Sequence, residues 1–280
     1  MLPEKLTANW HTHTFRCHHA VGDIPDYLRV AREAGLTTVG FSEHSPLKDD
    51  RWDGGRMFMR EIPEYLEALD RAREEFPDIK VYKGYESEWV PEFGASFYKE
   101  VLLGEKGVDY LAGAPHFFQV EKNGPWNNCW GPLPQYTPSQ LIAGYARSLV
   151  DLIESGVFTF VAHPDLFGIF YPNWTPDAEA AAHAIAQAAR DARIPLEINC
   201  SGFRKGVIIT DPDGTQHMPY PWEAFWRIVA EEGACAIINS DAHKPELLAL
   251  HFDDCLAFAK KVGVQVVTPQ TPEDFEALKH

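Results

Sequence analysis

The chain has 280 residues, of which 41 are acidic and 25 basic, so its formal net charge is −16. A content of 45% hydrophobic and 24% charged residues excludes a disordered or fibrous protein, and five scattered cysteines without a CxxC pair predict reduced thiols and a cytoplasmic protein. No apolar run reaches the length of about 18 residues that a membrane span needs, and the acidic balance argues against nucleic-acid binding, which favours a basic surface.

Short apolar runs alternate with helical patterns along the chain. Strands are predicted at Leu6–Trp10, Thr38–Ser42, Lys80–Glu86, Tyr110–Ala114, Thr159–Ala162, Pro195–Asn199 and Cys235–Asn239. Helices are predicted at Pro25–Ala34, Glu61–Glu75, Phe97–Leu103, Pro138–Ser155, Pro176–Ala192, Pro221–Glu232 and Pro245–Lys261. Strict alternation of strands and helices indicates a parallel sheet covered by helices. Seven such units predict an α/β barrel that forms a single domain over residues 1–280.

Two segments interrupt this alternation. Gln119–Tyr136 contains the tryptophan-rich stretch Trp126–Trp130 and three prolines, and is predicted to be a long irregular loop. Ile208–Pro221 contains the turn sequence Asp211-Pro212-Asp213-Gly214. Long loops in compact domains often cover binding sites, so each segment is either a lid over a site or a solvated insertion.

Histidine and acidic residues follow the predicted strands where each strand ends. They are His11 and His13, Glu43 and His44, Glu86, His116, His163 and Asp165, and Asp241 and His243. The carboxyl ends of barrel strands share one face, where the active sites of such barrels lie. Imidazole and carboxylate groups suit Zn²⁺, Mn²⁺ or Fe²⁺, and two residues two apart on a strand share one face. Because the ligands outnumber the needs of one ion, the sequence predicts two or three divalent metal ions.

These residues lie in motifs that extend over residues 9 to about 245. The motifs are His11-Thr12-His13-Thr14 with Cys17 and His19, Ser42-Glu43-His44-Ser45-Pro46, Gly84-Tyr85-Glu86, Pro115-His116-Phe117, His163-Pro164-Asp165, Glu197-Ile198-Asn199-Cys200-Ser201-Gly202-Phe203-Arg204-Lys205 and Ser240-Asp241-Ala242-His243. By these motifs and their order along the chain, the sequence resembles the polymerase and histidinol phosphatase (PHP) family of metal-dependent phosphoesterases, and within it the histidinol-phosphate phosphatases.

The resemblance implies a distorted (β/α)7 barrel, similar to a TIM barrel, and three metal sites. The implied ligands are His11, His13, Glu86 and Asp241 for the first metal, Glu86 with His116 and His163 for the second, and His19, His44 and His243 for the third. His18 is adjacent to His19 and could take its place, although the spacing from His11 favours His19. Glu88 shares a strand face with Glu86, but the motif points to Glu86.

The implied reaction is hydrolysis of a small phosphorylated substrate, L-histidinol phosphate, to L-histidinol and phosphate by a metal-bound hydroxide, a step of histidine biosynthesis. Asp241 and His243 would lie closest to the chemistry. Arg204 and its neighbour Lys205 are the candidate phosphate contacts, because a guanidinium matches two phosphate oxygens.

One region departs from the related enzymes. Residues 148–189 contain no lysine or arginine, and the loop from Leu166 to Trp174 is aromatic and apolar. This loop is therefore predicted to give the site an aromatic mouth, to which the Trp126–Trp130 segment could contribute. Aromatic walls would stack on an imidazole or on another ring.

Other functions remain compatible with the sequence. A PHP-type phosphoesterase could act on a nucleotide or a sugar phosphate instead. A metal-dependent C–N hydrolase of the amidohydrolase type also uses a strand-end His-x-His and a late aspartate, although its usual carboxylated lysine has no clear counterpart in this chain. A non-catalytic barrel that serves as a polymerase accessory or binding module is disfavoured by the complete set of ligand positions.

Overall fold

The computed structural model describes residues 2–133, 135–210, 214 and 216–280. The strands within this part are β1 (Ala8–Asn9), β2 (Thr38–His44), β3 (Lys80–Ser87), β4 (Tyr110–Gly113), β5 (Phe117–Gln119), β6 (Trp126–Asn128), β7 (Phe160–Val161), β8 (Leu196–Asn199), β9 (Ile209–Thr210), β10 (Gln216–His217), β11 (Cys235–Asn239) and β12 (Gln265–Val266). Eight of them form one parallel sheet in the order β1-β2-β3-β4-β7-β8-β11-β12. The other four pair as two antiparallel hairpins, β5 with β6 and β9 with β10.

The parallel sheet curls into a distorted barrel. Beyond the strand ends, Thr12 forms a parallel bridge with Ala242, and the His13 amide donates to the Ala242 carbonyl at 2.9 Å. The chain after β1 therefore meets the chain after β11, which closes seven strands at their carboxyl ends. At the opposite end the short β12 lies beside β11, and Trp10 Nε1 donates to the Pro269 carbonyl at 3.0 Å.

Helices cover the outside of the sheet. They are α1 (Ile24–Ala34), α2 (Ile62–Glu75), α3 (Gly94–Ser96, continued by a π-helix over Phe97–Glu105), α4 (Pro138–Glu154), α5 (Pro176–Ala192), α6 (Ser201–Lys205), α7 (Glu223–Glu231), α8 (Phe252–Val262) and α9 (Pro272–Leu278). Local sequence defines their ends: α1 begins in a capping box formed by Asp23 and Asp26 and ends at Gly35, whose φ is 75°. None of the helices within the described ranges is long and apolar enough to cross a membrane.

The barrel interior is filled by aromatic rings set among small residues. Trp10, Tyr110 and Phe160 pack there with alanines from several strands. The Tyr110 ring lies so close to Gly84 that a Cβ at this position would have no space. The ring of Phe275, from α9, packs edge-on against Trp10 at 5.1 Å and closes the barrel interior. The interior is thus a solid core on which the strand-end residues rest.

All seven predicted strands and the alternation of strands and helices are confirmed, but several elements differ in detail. The predicted helix Pro245–Lys261 is interrupted: a 3₁₀ turn covers Pro245–Leu247, and α8 begins only after His251, whose left-handed φ of 68° breaks the helix. The predicted loop Gln119–Tyr136 contains most of the β5–β6 hairpin. The turn residues Asp211–Asp213 lie outside the described residues. Strand β12 and helix α9 were not predicted.

Candidate metal and phosphate site

The predicted site residues converge on Glu86, a buried carboxylate near the end of β3. Its Oε1 atom lies 2.9 Å from His163 Nε2 and 3.2 Å from His116 Nε2. The two histidine nitrogens are 3.2 Å from each other. This half of the carboxylate therefore faces the two histidines that follow β4 and β7.

The other oxygen of Glu86 faces residues from the first two strands. Oε2 lies 3.0 Å from His44 Nδ1, 3.3 Å from His11 Nε2 and 3.4 Å from His13 Nε2. Asp241 Oδ1 approaches the same two Nε2 atoms, at 3.5 Å from His11 and 3.4 Å from His13. Glu86 thus has the bridging position between two groups of potential ligands.

A third group lies nearer the solvent. His19 Nε2 and His243 Nε2 are 2.9 Å apart, and the rings of His19 and His44 are stacked with centroids 5.1 Å apart. His18 is directed elsewhere, with its Nε2 3.6 Å from Glu61 Oε2. Of the two neighbouring histidines, the structure therefore brings His19 to the cluster.

Hydrogen bonds around the cluster leave bare imidazole nitrogens pointing inward. Four histidines have Nδ1 facing an oxygen acceptor: His11 faces Glu197 Oε1 at 2.8 Å, His116 faces Glu88 Oε1 at 3.0 Å, His19 faces the Cys17 carbonyl at 2.7 Å and His243 faces the Asp241 carbonyl at 3.2 Å. Because these oxygens only accept, each Nδ1 carries a proton, and Nε2 keeps its lone pair when the ring is neutral. Nitrogen lone pairs that converge on buried carboxylates suit a divalent cation. Glu86 Oε2 is buried close to three histidines of the cluster, but no described residue is aligned to form a hydrogen bond with it.

Electrostatics keep the acidic members of the cluster ionised. Burial alone raises the pKa of Glu86 and of Asp241, but the charges of surrounding histidines outweigh it and hold each pKa well below its usual range. Burial dominates for three histidines and lowers their pKa to about 3 for His13, about 4 for His44 and about 3 for His243. For His116 burial lowers the pKa, but Glu86 and Glu88 together outweigh burial and raise the pKa to about 9. Ionised carboxylates and neutral imidazoles are the forms that bind metals, so a cation bound at His116 would displace a proton.

Two cluster residues have unusual backbone conformations. His163 has a φ of 28° and Asp241 a φ of 50°. Such values are uncommon for residues other than glycine and are often found at functional sites, where the surroundings hold them in place. The His163 amide donates to Glu197 Oε2 at 3.0 Å, which helps to fix this conformation.

Two buried carboxylates that the sequence analysis assigned no role support the cluster. Glu197 accepts hydrogen bonds from the side chains of Asn199 at 2.8 Å and Asn239 at 3.0 Å, in addition to those from His11 and His163. Glu88 pairs with both terminal nitrogens of Arg56, at 2.9 and 3.0 Å, and faces His116. The sequence feature that could have revealed Glu197 is an acidic residue between two apolar residues of strand β8.

The two predicted phosphate contacts lie beside the cluster. Arg204 and Lys205 line a cleft of about 390 Å³ together with Tyr220 and cluster residues. Arg204 Nη2 donates to the Asp241 carbonyl at 2.9 Å, whereas Nη1 is buried without a hydrogen-bond partner in the described part of the chain. Lys205 Nζ lies 5.2 Å from the centre of the Tyr220 ring. We call this the phosphate cleft.

The prediction that the loop after His163 forms an aromatic mouth is wrong for most of that loop. Phe167 is buried among other aromatic rings, including Tyr145 at 5.5 Å, and Trp174 packs edge-on against Trp222 at 5.1 Å. Leu166 is the residue of this loop that lines the phosphate cleft within the described chain. The apolar side chains instead fill the core beneath helices α4 and α7.

Comparisons with known proteins agree with this geometry. The PHP domain model matches residues 9–201. A "Probable histidinol-phosphatase" of Deinococcus radiodurans is 30% identical over 92% of this chain and 94% of its own length, and a protein of the same name from Schizosaccharomyces pombe is 24% identical over 91% and 86%. The fold matches histidinol phosphate phosphatase from Lactococcus lactis, solved with zinc, L-histidinol and phosphate, with a TM-score of 0.69 and 17% identity over 96% of this chain and 98% of that one. The predicted barrel is thereby confirmed.

Proposed function

This chain belongs to the PHP family, and we propose that the enzyme hydrolyses L-histidinol phosphate to L-histidinol and inorganic phosphate. The observation that carries this proposal is the convergence of histidine nitrogens on Glu86 and Asp241, next to Arg204, whose Nη1 has no hydrogen-bond partner in the described part of the chain. The names of the curated relatives and the ligands of the Lactococcus lactis structure support the choice of substrate. The reaction would belong to histidine biosynthesis, and free cysteines are compatible with the cytoplasm that we propose for it.

The residues present fit a multinuclear metal centre. Among the groups of described side chains whose ligand atoms lie within 4.8 Å of one another, four consist of predicted ligands: His11, His13 and Asp241; His13, His44 and Glu86; Glu86, His116 and His163; and His19, His44 and His243. We propose that they hold two or three divalent ions, of Zn, Mn or Fe, with Glu86 shared between groups. Such ions activate water as a nucleophile and neutralise the charge of phosphoryl oxygens.

The chain's own residues would orient the substrate around this centre. Arg204, fixed through Nη2 on the Asp241 carbonyl, would donate from Nη1 to a phosphate oxygen, and Lys205 would add a second positive charge. Asp241 is held ionised by the surrounding histidines, which keep its pKa well below the usual range; this suits a metal ligand. His243 lies at the solvent side of the cluster and lines the phosphate cleft with Arg204 and Lys205, so it would face the phosphate group.

The direct test is phosphate release from L-histidinol phosphate and from a panel of other phosphomonoesters, by protein purified with its metals. We expect a preference for L-histidinol phosphate that is lost in His116→Ala. The matched control is His183→Ala, because His183 also bonds a carboxylate, Glu232, at 2.7 Å but lies on helix α5, away from the cluster.

Three outcomes would count against the proposal. Activity on other esters but not on L-histidinol phosphate would leave a phosphatase and overturn its substrate. Full activity in His116→Ala would overturn the role of the cluster. Absence of phosphate release from every ester by metal-loaded protein would overturn the phosphatase itself.

A further inference from the structure

A second cleft adjoins the cluster on the side away from Arg204. It has a volume of about 440 Å³ and is lined by the rings of Trp52, Phe117 and Trp130. We call it the aromatic cleft. It shares four residues with the phosphate cleft: His19, His44, His116 and Trp130. A molecule seated on these histidines can therefore extend toward the cations of one cleft or toward the rings of the other.

The walls of the aromatic cleft are flat and held in place. Trp52 and Phe117 are stacked almost in parallel, with centroids 3.9 Å apart and an interplanar angle of 4°. Trp52 adopts a left-handed φ of 58°, and Arg56 Nε donates to its carbonyl at 3.0 Å. A bulky residue rarely adopts this conformation unless its surroundings hold it there.

Trp130 stands at the junction of the two clefts. About half of its side chain is exposed, at 51%, and its ring lies 5.4 Å from the ring of His116. The neighbouring Cys129 amide donates to the His116 carbonyl at 3.0 Å, and the Trp130 amide donates to Asn128 Oδ1 at 2.9 Å. The β5–β6 hairpin therefore positions a large apolar surface in solvent beside the candidate reaction centre.

The charged groups of this cleft neutralise each other. Arg56 and Glu88 line it, but they form a buried bidentate ion pair with each other. Asn128 supplies an amide at the rim. A sugar would need many hydrogen-bonding partners in such a wall, whereas an aromatic ring needs flat apolar surface. The chemistry of the wall thus favours a planar ring.

We propose that the aromatic cleft binds the ring of the leaving alcohol, so that the protein selects phosphomonoesters with a planar aromatic or heteroaromatic ring a short linker away from the phosphate-bearing carbon. The inference rests on the proposed phosphatase activity and assigns its specificity to Trp130 together with the Trp52–Phe117 stack. In this arrangement the phosphate lies toward Arg204 and the ring toward Trp130.

The test uses three phosphate esters of amino alcohols that differ only in the side chain: L-histidinol, L-phenylalaninol and L-alaninol phosphate. In the unaltered protein kcat/KM should be higher for both ring-bearing esters than for the alaninol ester. Trp130→Ala should lower kcat/KM for the two ring-bearing esters by about tenfold or more, the range typical of lost pocket contacts, and should lower it by a clearly smaller factor for the alaninol ester. Binding of L-histidinol, measured calorimetrically without turnover, should weaken in parallel.

Trp174→Ala is the matched control, since it removes an indole that packs against Trp222 outside both clefts. It should leave the ratio between ring-bearing and alaninol esters unchanged. An equal loss for all three esters in Trp130→Ala, or no loss, would overturn the inference. If L-histidinol phosphate is not hydrolysed, the proposed substrate is wrong, but the inference about the cleft can still be tested. The comparison of the phenylalaninol and alaninol esters then shows whether the protein selects a ring. Equal kcat/KM for that pair in the unaltered protein would also overturn it.

Discussion

Glu197 fixes the orientation of His11 although it is not itself among the proposed metal ligands. It is fully buried, and each of its oxygens accepts two hydrogen bonds, one of them from His11 Nδ1 at 2.8 Å. A carboxylate behind a metal-binding histidine fixes its tautomer and strengthens it as a ligand, and loss of such a partner typically costs about 10–100-fold in metal affinity. We therefore expect Glu197→Gln to weaken metal binding by about that factor.

The measurement is metal content at a series of buffered free-zinc concentrations. Glu232→Gln is the control, because Glu232 also bonds a histidine, His183, at 2.7 Å, but on the outer face of the barrel. It should bind zinc as the unaltered protein does. Unchanged zinc binding in Glu197→Gln would contradict the role given to this carboxylate.

Arg204 provides a second prediction at the scale of single residues. Its Nη2 donates to the Asp241 carbonyl, while Nη1 has no hydrogen-bond partner among the described residues. One side chain is therefore both held in place and able to donate to a ligand. Lysine keeps the charge but lacks this planar fork. Arg204→Lys should raise KM and weaken inhibition by inorganic phosphate by about tenfold, as expected for loss of a charge-assisted hydrogen bond.

The control for this variant is Arg193→Lys, since the exposed Arg193 also donates to a backbone carbonyl, that of Lys279, at 2.8 Å. It should change neither constant. If KM and phosphate inhibition in Arg204→Lys equal those of the unaltered protein, Arg204 does not contact the phosphate.

At the scale of elements, the sequence predicted those helices and strands whose boundaries carry local signals. Proline at the start and glycine at the end define α1, and the apolar run of β11 is delimited as predicted. Helix α9 was missed although Thr271 and Asp274 form a capping box with Pro272 in the first turn. The preceding strand, β12, has only two residues, too few for periodicity to reveal.

Helix α9 provides a prediction about stability. It enters at the amino-terminal end of the barrel, where Gln270 Nε2 donates to Thr7 Oγ1 at 3.2 Å, and it buries Phe275 against Trp10 and Phe160. Phe275→Ala should lower the free energy of unfolding by about 3–5 kcal/mol, the usual cost of removing a buried phenylalanine. The activity of the folded fraction should persist, since the cluster lies at the other end of the strands.

Urea unfolding measures this loss, and Leu250→Ala is the control because Leu250 is 44% exposed. Removal of an exposed leucine should cost less than about 1 kcal/mol. Similar unfolding free energies for the two variants would contradict the conclusion that Phe275 stabilises the fold by closing the barrel interior.

The candidate site was predictable where it follows from strand direction, and unpredictable where it depends on contacts between distant segments. His44 and His116 could be placed because parallel strands end on one face. The ion pair between Arg56 and Glu88 joins residues 32 positions apart, and no local sequence pattern predicts it. The stack of Trp52 on Phe117 joins a loop to strand β5 and was not predicted. The aromatic wall was therefore assigned mostly to the wrong segment, Leu166–Trp174, although Trp130 of the Trp126–Trp130 segment does line it.

At the scale of the whole molecule, the cluster ties the barrel together. Its side chains come from the ends of six strands: β1, β2, β3, β4, β7 and β11. Within the sheet, neighbouring strands are joined by backbone hydrogen bonds. Metals bound there would cross-link the carboxyl ends of these strands. Binding to the folded state alone at a concentration a hundredfold above Kd stabilises a protein by about 2.7 kcal/mol per site.

Metal removal should therefore destabilise the fold as well as abolish activity. With a Tm change of about 2–4 °C per kcal/mol for chains near this size, a chelator should lower Tm by about 5 °C or more, and added Zn²⁺ should restore it. In Glu86→Gln, which alters the carboxylate shared by the ligand groups, the chelator should have much less effect, whereas Glu232→Gln should behave like the unaltered protein. An equal Tm with and without chelator, in protein shown to contain metal before treatment, would contradict this account, because ions that join six strand ends cannot leave without loosening them.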